Sequence, residues 1–255
     1  MIKITLPAKP IELTDEVEKQ LIAEFVADKN KSVWRKDYIK RPLEEMTNEK
    51  CSYCETKLTK QGLSFTLDHY HDKDIYPDEV VSWGNLLPSC TNCNSHKGKT
   101  DTYKNPILNP TEQDPKEYLY LKDFRIKSKD NDYKSIGKFT VDLLDLNNRK
   151  KLLDPRLDIA YEMINKIRYI TDKISNCEDL SELSQIIINR VRLHFIGLLN
   201  LAQPHEEYSA FIATILLNDD DYTEAVDKAK QLELWTEEME LLHESAALIK
   251  LDMSK

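Results

Sequence analysis

The sequence predicts a mainly α fold with a small α+β insert, and three observations carry that prediction. Four of the five cysteines lie between Cys51 and Cys93, arranged as two C-x2-C pairs. The stretch from Cys51 to Asn109 has little helical periodicity. Beyond Lys138, apolar residues recur at i, i+3 and i+4 almost to the end of the chain. A length of 255 residues allows a buried core, in one large domain or two smaller ones.

In chain order, Thr14-Asp15-Glu16 has the form of a helix N-cap followed by an acidic first turn. Val17, Leu21, Ile22, Phe25 and Val26 continue it at helical spacing. A second short helix is expected around Pro42 to Thr47. Ser64-Phe65-Thr66-Leu67 reads as a short strand ending in Asp68-His69-Tyr70-His71, followed by a polar loop and Trp83-Gly84-Asn85-Leu86-Leu87. Asn105 to Asp114 contains two Asn-Pro steps and reads as loop. Helices are then expected over Leu157–Ile174, Leu180–Leu201, His205–Leu217, Tyr222–Leu232 and Trp235–Leu251, with Pro204 and Asn218 to Asp221 as breaks. The expected organisation is an N-terminal helical arm (1–50), a cysteine-bearing module (51–115), a basic connecting segment (116–155) and an acidic C-terminal helical domain (156–255).

Charge is unevenly distributed. The chain has a net charge of −9, but from Asn176 to Lys255 there are 16 acidic and 6 basic residues, leaving the first 175 at +1. Lys29 to Arg41 carries six basic residues and one acid, and Lys122 to Lys151 nine and five. Solvated faces account for most such runs, but these two flank the cysteine region and favour contact with a polyanion. The acidic end opposes nonspecific nucleic-acid binding by the chain alone. No apolar run approaches the ~20 residues of a membrane span. The start, MIKITLPAKP, lacks the apolar core of a signal peptide, so the expected location is the cytoplasm, where thiols stay reduced.

Cys51-Ser-Tyr-Cys54 and Cys90-Thr-Asn-Cys93 each present two thiolates, and together they complete a tetrahedral zinc site. Four thiolates leave no open coordination position, so such a zinc is structural. Unrelated free cysteines are the alternative. A redox pair is disfavoured on the expectation that neither knuckle opens a helix after a buried strand. Cys177 stands alone near a helix boundary and reads as an inert small residue.

The 35 residues between the knuckles and the segment that follows carry an ordered set: Asp68-His69, then Asn85-Leu86 in the interval, then Cys93-Asn94 with Lys97-Gly98-Lys99-Thr100-Asp101 at and after the second knuckle. That order resembles the HNH nucleases and their ββα-metal site, a hairpin packed on a helix with one catalytic divalent ion. The resemblance implies that Asp68 and Asn94 are ligands of magnesium or manganese, that His69 is the general base, and that Asn85 orients the His69 loop. An Asn85 hydrogen bond across the hairpin is the expected hold on the imidazole. The K-G-K-T-D string is similar to the end of the HNH domain in CRISPR effector nucleases. Lys97 and Lys99 are candidate contacts to flanking phosphates, or else ordinary solvated lysines. His71 and His96 occupy no family position and stay outside the catalytic set.

From about residue 40 to 155, Leu43-Glu-Glu-Met, Cys51-x2-Cys54-Glu55, the Asn105 to Asp114 loop and the run Ile136 to Asn147 look like the HNH subunit of Septu-type and retron-associated anti-phage systems. Two departures stand out. Asp68 replaces a frequent glutamate, and His71-Asp72 replaces an Arg-Pro step after the aromatic, here Tyr70. The resemblance implies a DNA endonuclease working beside an ABC-type ATPase that docks on the acidic helical half. An RNA- or tRNA-cleaving nuclease and a non-catalytic zinc-stabilised nucleic-acid-binding module are the alternatives.

Overall fold

Helix α1 (Asp15–Ala27) begins where its cap requires: the Thr14 hydroxyl accepts the Val17 N–H at 3.3 Å. Helix α2 (Asp37–Met46) starts before the expected Pro42 and carries that proline inside it. A proline removes one i→i−4 bond. Ile39 and Leu43, one turn apart and fully buried, hold the helix across that gap. The computed structural model describes residues 1–58 and 65–253, so the predicted strand residue Ser64 lies outside the described part. Strand β1 (Phe65–His69) pairs antiparallel with β2 (Leu86–Cys90), setting Phe65 opposite Cys90 and His69 opposite Leu86. Helix α3 (Thr91–Lys97) follows β2 directly and packs on both strands. It ends at Gly98, whose positive φ of 53° suits a residue without a Cβ.

Within the described residues the chain divides into two compact units. The first comprises Met1–Tyr118 and Lys127–Leu146. Its core joins Leu21 and Phe25 of α1, Ile39 and Leu43 of α2, Leu67 and Leu86 of the hairpin, and Val80, Val81 and Trp83 of the intervening loop. The N-terminal helices therefore share one apolar core with the hairpin. Helix α4 (Ile136–Leu143) is also in this unit and tethers the Asn105–Asp114 loop, its Thr140 hydroxyl accepting the Leu108 N–H at 2.7 Å.

The second unit comprises Leu119–Ile126 and Asn147–Lys255. It contains α5 (Asp154–Ile174), α6 (Gln185–Leu201), α7 (Ser209–Leu216), α8 (Asp220–Gln231) and α9 (Glu237–Ile249). Helix α7 is apolar on nearly every side and buried along its length, so it forms the centre of this bundle. Three short strands are additions to the expected elements: β3 (Leu119–Lys122), β4 (Arg125–Ser128) and β5 (Asp252–Met253), ordered β4-β3-β5 with β3 and β5 parallel. Pairing a two-residue strand with one far upstream leaves no local signature. About half of the chain is helical, and the sheets are small. Among the described residues, no helix is long and apolar enough to cross a membrane.

Candidate metal clip and active-site cleft

The two C-x2-C pairs converge. The sulfurs of Cys51, Cys54, Cys90 and Cys93 lie within 4.8 Å of one another, all four residues buried. Zn–S bonds of about 2.3 Å in a tetrahedron set sulfurs roughly 3.8 Å apart, and Cys54 Sγ lies 3.8 Å from Cys90 Sγ. All four thiols are free. The donor set and its spacing therefore suit a tetrahedral thiolate-bound metal such as zinc. The first knuckle is fastened to the hairpin by the Ser52 N–H, which donates to the Pro88 carbonyl at 2.9 Å. The second coincides with a helix start: Cys90 is the N-cap of α3 and its sulfur accepts the Cys93 N–H at 3.4 Å. That placement corrects one expectation, since Cys90 and Cys93 do open a helix after a strand buried throughout. A two-cysteine redox site is nevertheless a poor description, because the sulfurs of the other knuckle complete the cluster. Cys177 lies outside it, its thiol donating to the Lys173 carbonyl at 3.3 Å.

Asp68, His69 and Asn94 line one open cleft of about 700 Å³. Adjacent strand residues point to opposite faces, but Asp68 and His69 end β1, where the chain turns into its loop. The His69 ring is buried, with Nε2 2.9 Å from the Val80 carbonyl. A carbonyl only accepts, so Nε2 carries the proton and Nδ1 keeps its lone pair. Burial lowers the His69 pKa to about 4, the Val80 carbonyl opposing and Lys73 and Lys97 reinforcing the shift. The imidazole is therefore neutral at pH 7. Trp34, from the turn between α1 and α2, meets the ring edge-on, centroids 4.6 Å apart.

Asn85 holds backbone. Its Oδ1 accepts the His71 N–H at 2.6 Å, and its Nδ2 donates to the carbonyls of His71 and Glu79 at 3.1 and 3.0 Å. It ties down the loop leaving His69, while the ring is held by the Val80 carbonyl and not by the expected Asn85 bond across the hairpin. Asn94 is oriented by a relay. The Thr66 hydroxyl spends its proton on the Ser89 carbonyl (2.8 Å), so it accepts from Asn94 Nδ2 (3.3 Å). The Asn94 amide oxygen consequently points away from Thr66.

Asp68 is buried, and each of its oxygens is already engaged. Oδ2 accepts the Tyr53 hydroxyl at 2.6 Å, and Oδ1 accepts from Lys97 Nζ at 3.0 Å. Burial raises the Asp68 pKa, while Lys97 and Tyr53 act against it. Lys97 is the second correction. Expected either as a phosphate contact or as an ordinary solvated lysine, it is 2% exposed, and its ammonium is used on Asp68 and on the His69 carbonyl at 2.6 Å. The burial arises because α3 packs on both strands of the hairpin and its last turn carries Lys97 against β1. Lys99, beyond the Gly98 turn, is exposed at the cleft and pairs with Asp74 at 2.7 Å. His71 stacks on Tyr103 with centroids 3.7 Å apart, and His96 contacts the Leu144 carbonyl at 3.3 Å; neither lines the cleft.

Sequence reasoning missed Tyr53 and Trp34. Tyr53 carries a findable signal, an aromatic inside a metal knuckle. Trp34 stands in a basic run and carries none.

The fold and the site define a protein with a cysteine-clipped ββα module in one unit and a helical bundle in the other. No family model matches the chain. The Septu protein PtuB of Bacillus thuringiensis is 38% identical over 243 residues, 95% of this chain and 92% of the relative. The Septu protein PtuB of Bacillus mycoides (strain KBAB4) is 26% identical over 271 residues, 84% and 89% of the two chains. The chain belongs to the Septu PtuB family, in line with the Septu-type resemblance of residues 40–155.

Two outcomes follow from the site. Cys90→Ser should lower the metal content below the expected one zinc per chain and reduce solubility or thermal stability, read by metal analysis and thermal unfolding, because metal binding contributes to folding. Lys97→Met should destabilise the first unit by roughly 3–5 kcal/mol, since it strands a buried carboxylate. Urea denaturation measures this; an unchanged midpoint would mean that Lys97 carries no structural charge pair.

Proposed function

We propose that this protein is a metal-dependent HNH endonuclease that hydrolyses DNA phosphodiester bonds as a component of Septu anti-phage defence. One observation carries the reading: His69 presents an unprotonated Nδ1 beside a cleft that Asp68 and Asn94 also line. A neutral imidazole held by its far nitrogen is equipped to take a proton from an attacking water, a contribution of roughly 10²–10⁴-fold. Asn85 fixes the loop behind it, so the base keeps its place.

A carboxylate and an amide oxygen are hard donors, which fit magnesium or manganese better than softer ions. Asp68 and Asn94 would hold such an ion, which would supply charge neutralisation at the scissile phosphate and the leaving 3′ oxygen. The competing reading, a zinc-stabilised nucleic-acid-binding module without turnover, has one observation on its side. Both Asp68 oxygens already accept a hydrogen bond, one from a lysine. Each oxygen retains a further lone pair, and this keeps the ligand role chemically open.

Incubating the purified chain with plasmid or with tRNA, in magnesium, manganese or EDTA, tests the activity. Plasmid should be cut with the metals and spared in EDTA, and His69→Ala should lose at least about 10²-fold while keeping its zinc. Plasmid and tRNA both left intact by the wild type in every metal sink the nuclease reading; a His69→Ala protein as active as a cleaving wild type removes His69 as the base, and preferential loss of tRNA moves the substrate to RNA.

The partner in this reading is an ABC-type ATPase docked on the second unit. The support is a surface that opposes free DNA binding, with 16 acidic against 6 basic residues from Asn176 onward. That surface also exposes apolar residues one heptad apart: Ile186 and Leu193 on α6, Leu241 and Leu248 on α9. Removing everything after Asn176 would divide this bundle, because α5 packs on α6, α7 and α8. Surface changes are the cleaner probe. Leu193→Asp combined with Leu248→Asp should abolish co-purification with the ATPase and leave zinc content unchanged; retained co-purification would remove these helices from the interface.

A further inference from the structure

The cleft has an unmatched cation. Lys40 lies 3.2 Å from Glu44, and Lys73 and Lys99 lie 3.3 and 2.7 Å from Asp74, so each of these lysines at the cleft already faces a carboxylate. Arg35 lines the same cleft, is exposed, and has neither a hydrogen-bond nor an ion-pair partner for its guanidinium among the described residues. Its position is built rather than incidental. Val33 is buried in the core, Trp34 packs against the His69 ring at 4.6 Å, and the Arg35 N–H closes a turn on the Ser32 carbonyl at 3.1 Å. The backbone that carries Arg35 is therefore fixed next to the base. A guanidinium is always charged at neutral pH and offers a planar fork that matches two phosphate oxygens.

We propose that Arg35 grips a backbone phosphate of the nucleic acid next to the scissile bond, taking the phosphate-contact role that Lys97 cannot fill from inside the protein. The inference rests on the nuclease reading. It extends the site to the loop between α1 and α2, which carries no motif.

The test uses the full-length, zinc-loaded chain and a short DNA duplex. In a His69→Ala background assayed in EDTA, where cleavage is suppressed, adding Arg35→Ala should weaken binding and reduce the slope of log K against log salt by about one. In the active chain with manganese, Arg35→Ala should raise KM or lower kcat/KM by about tenfold or more, and Arg35→Lys should recover part of the loss. Arg41→Ala, which removes a cation already paired with Asp37 at 3.7 Å, is the control and should change little. Zinc content and thermal unfolding should match the wild type in every variant. A wild type that cleaves, with Arg35→Ala unchanged in both salt slope and KM, overturns this inference alone. A wild type that neither binds nor cleaves the duplex overturns the nuclease reading and this inference with it.

Discussion

The Asp68 carboxylate is the point on which the first unit depends. A buried charge is costly unless it is paired and hydrogen-bonded, and losing one partner is worse than never having had the pair. Asp68 meets that demand with two groups of different origin. Tyr53 comes from within the first cysteine knuckle, and Lys97 from the end of the helix that the second knuckle caps. The cysteine cluster therefore does more than close a loop of the chain. By joining the two knuckles it brings both partners of the carboxylate to the same place, and the hairpin that carries Asp68 is held between them. Lys97 also donates to the His69 carbonyl, so the same ammonium fixes the backbone of the neighbouring residue.

Around that anchor, some polar groups are committed to hydrogen bonds and others are not. Asn85, Thr66 and the Val80 carbonyl are committed to hydrogen bonds that set the orientation of their neighbours. Among the described residues, no hydrogen bond engages the His69 Nδ1 or the Asn94 amide oxygen. Burial keeps the imidazole uncharged, with Trp34 packed on its edge and the nearby Asp74 carboxylate exerting only a small opposing pull. The N-terminal helices enter here as structural necessities. Without Phe25, Ile39 and Leu43 in the common core, the Trp34 turn would have nothing to stand on.

The second unit follows a different logic. Its centre is a short helix that is apolar all round, surrounded by longer amphipathic helices, an arrangement that hydrophobic burial alone can explain. Its exposed leucines and isoleucines and its excess of carboxylates are not needed for that core. A surface both acidic and locally apolar suits a protein partner better than a nucleic acid.

The sequence alone determined the elements with strong local signals. The Thr14 cap, the long amphipathic helices and the two C-x2-C pairs are all set by residues within a few positions of one another, and all lie where the sequence places them. Asp68, His69 and Asn94, which the motif order singled out, line one cleft, and Asn85 holds the loop that leaves His69. Only the tertiary structure decided which charges are available. Lys97 and Lys99 are two positions apart and chemically identical, yet the last turn of α3 buries one against Asp68 and the Gly98 turn leaves the other in solvent. Burial and pairing depend on residues tens of positions away, and for that reason Tyr53, Trp34 and Arg35 acquire their significance only when the chain is folded.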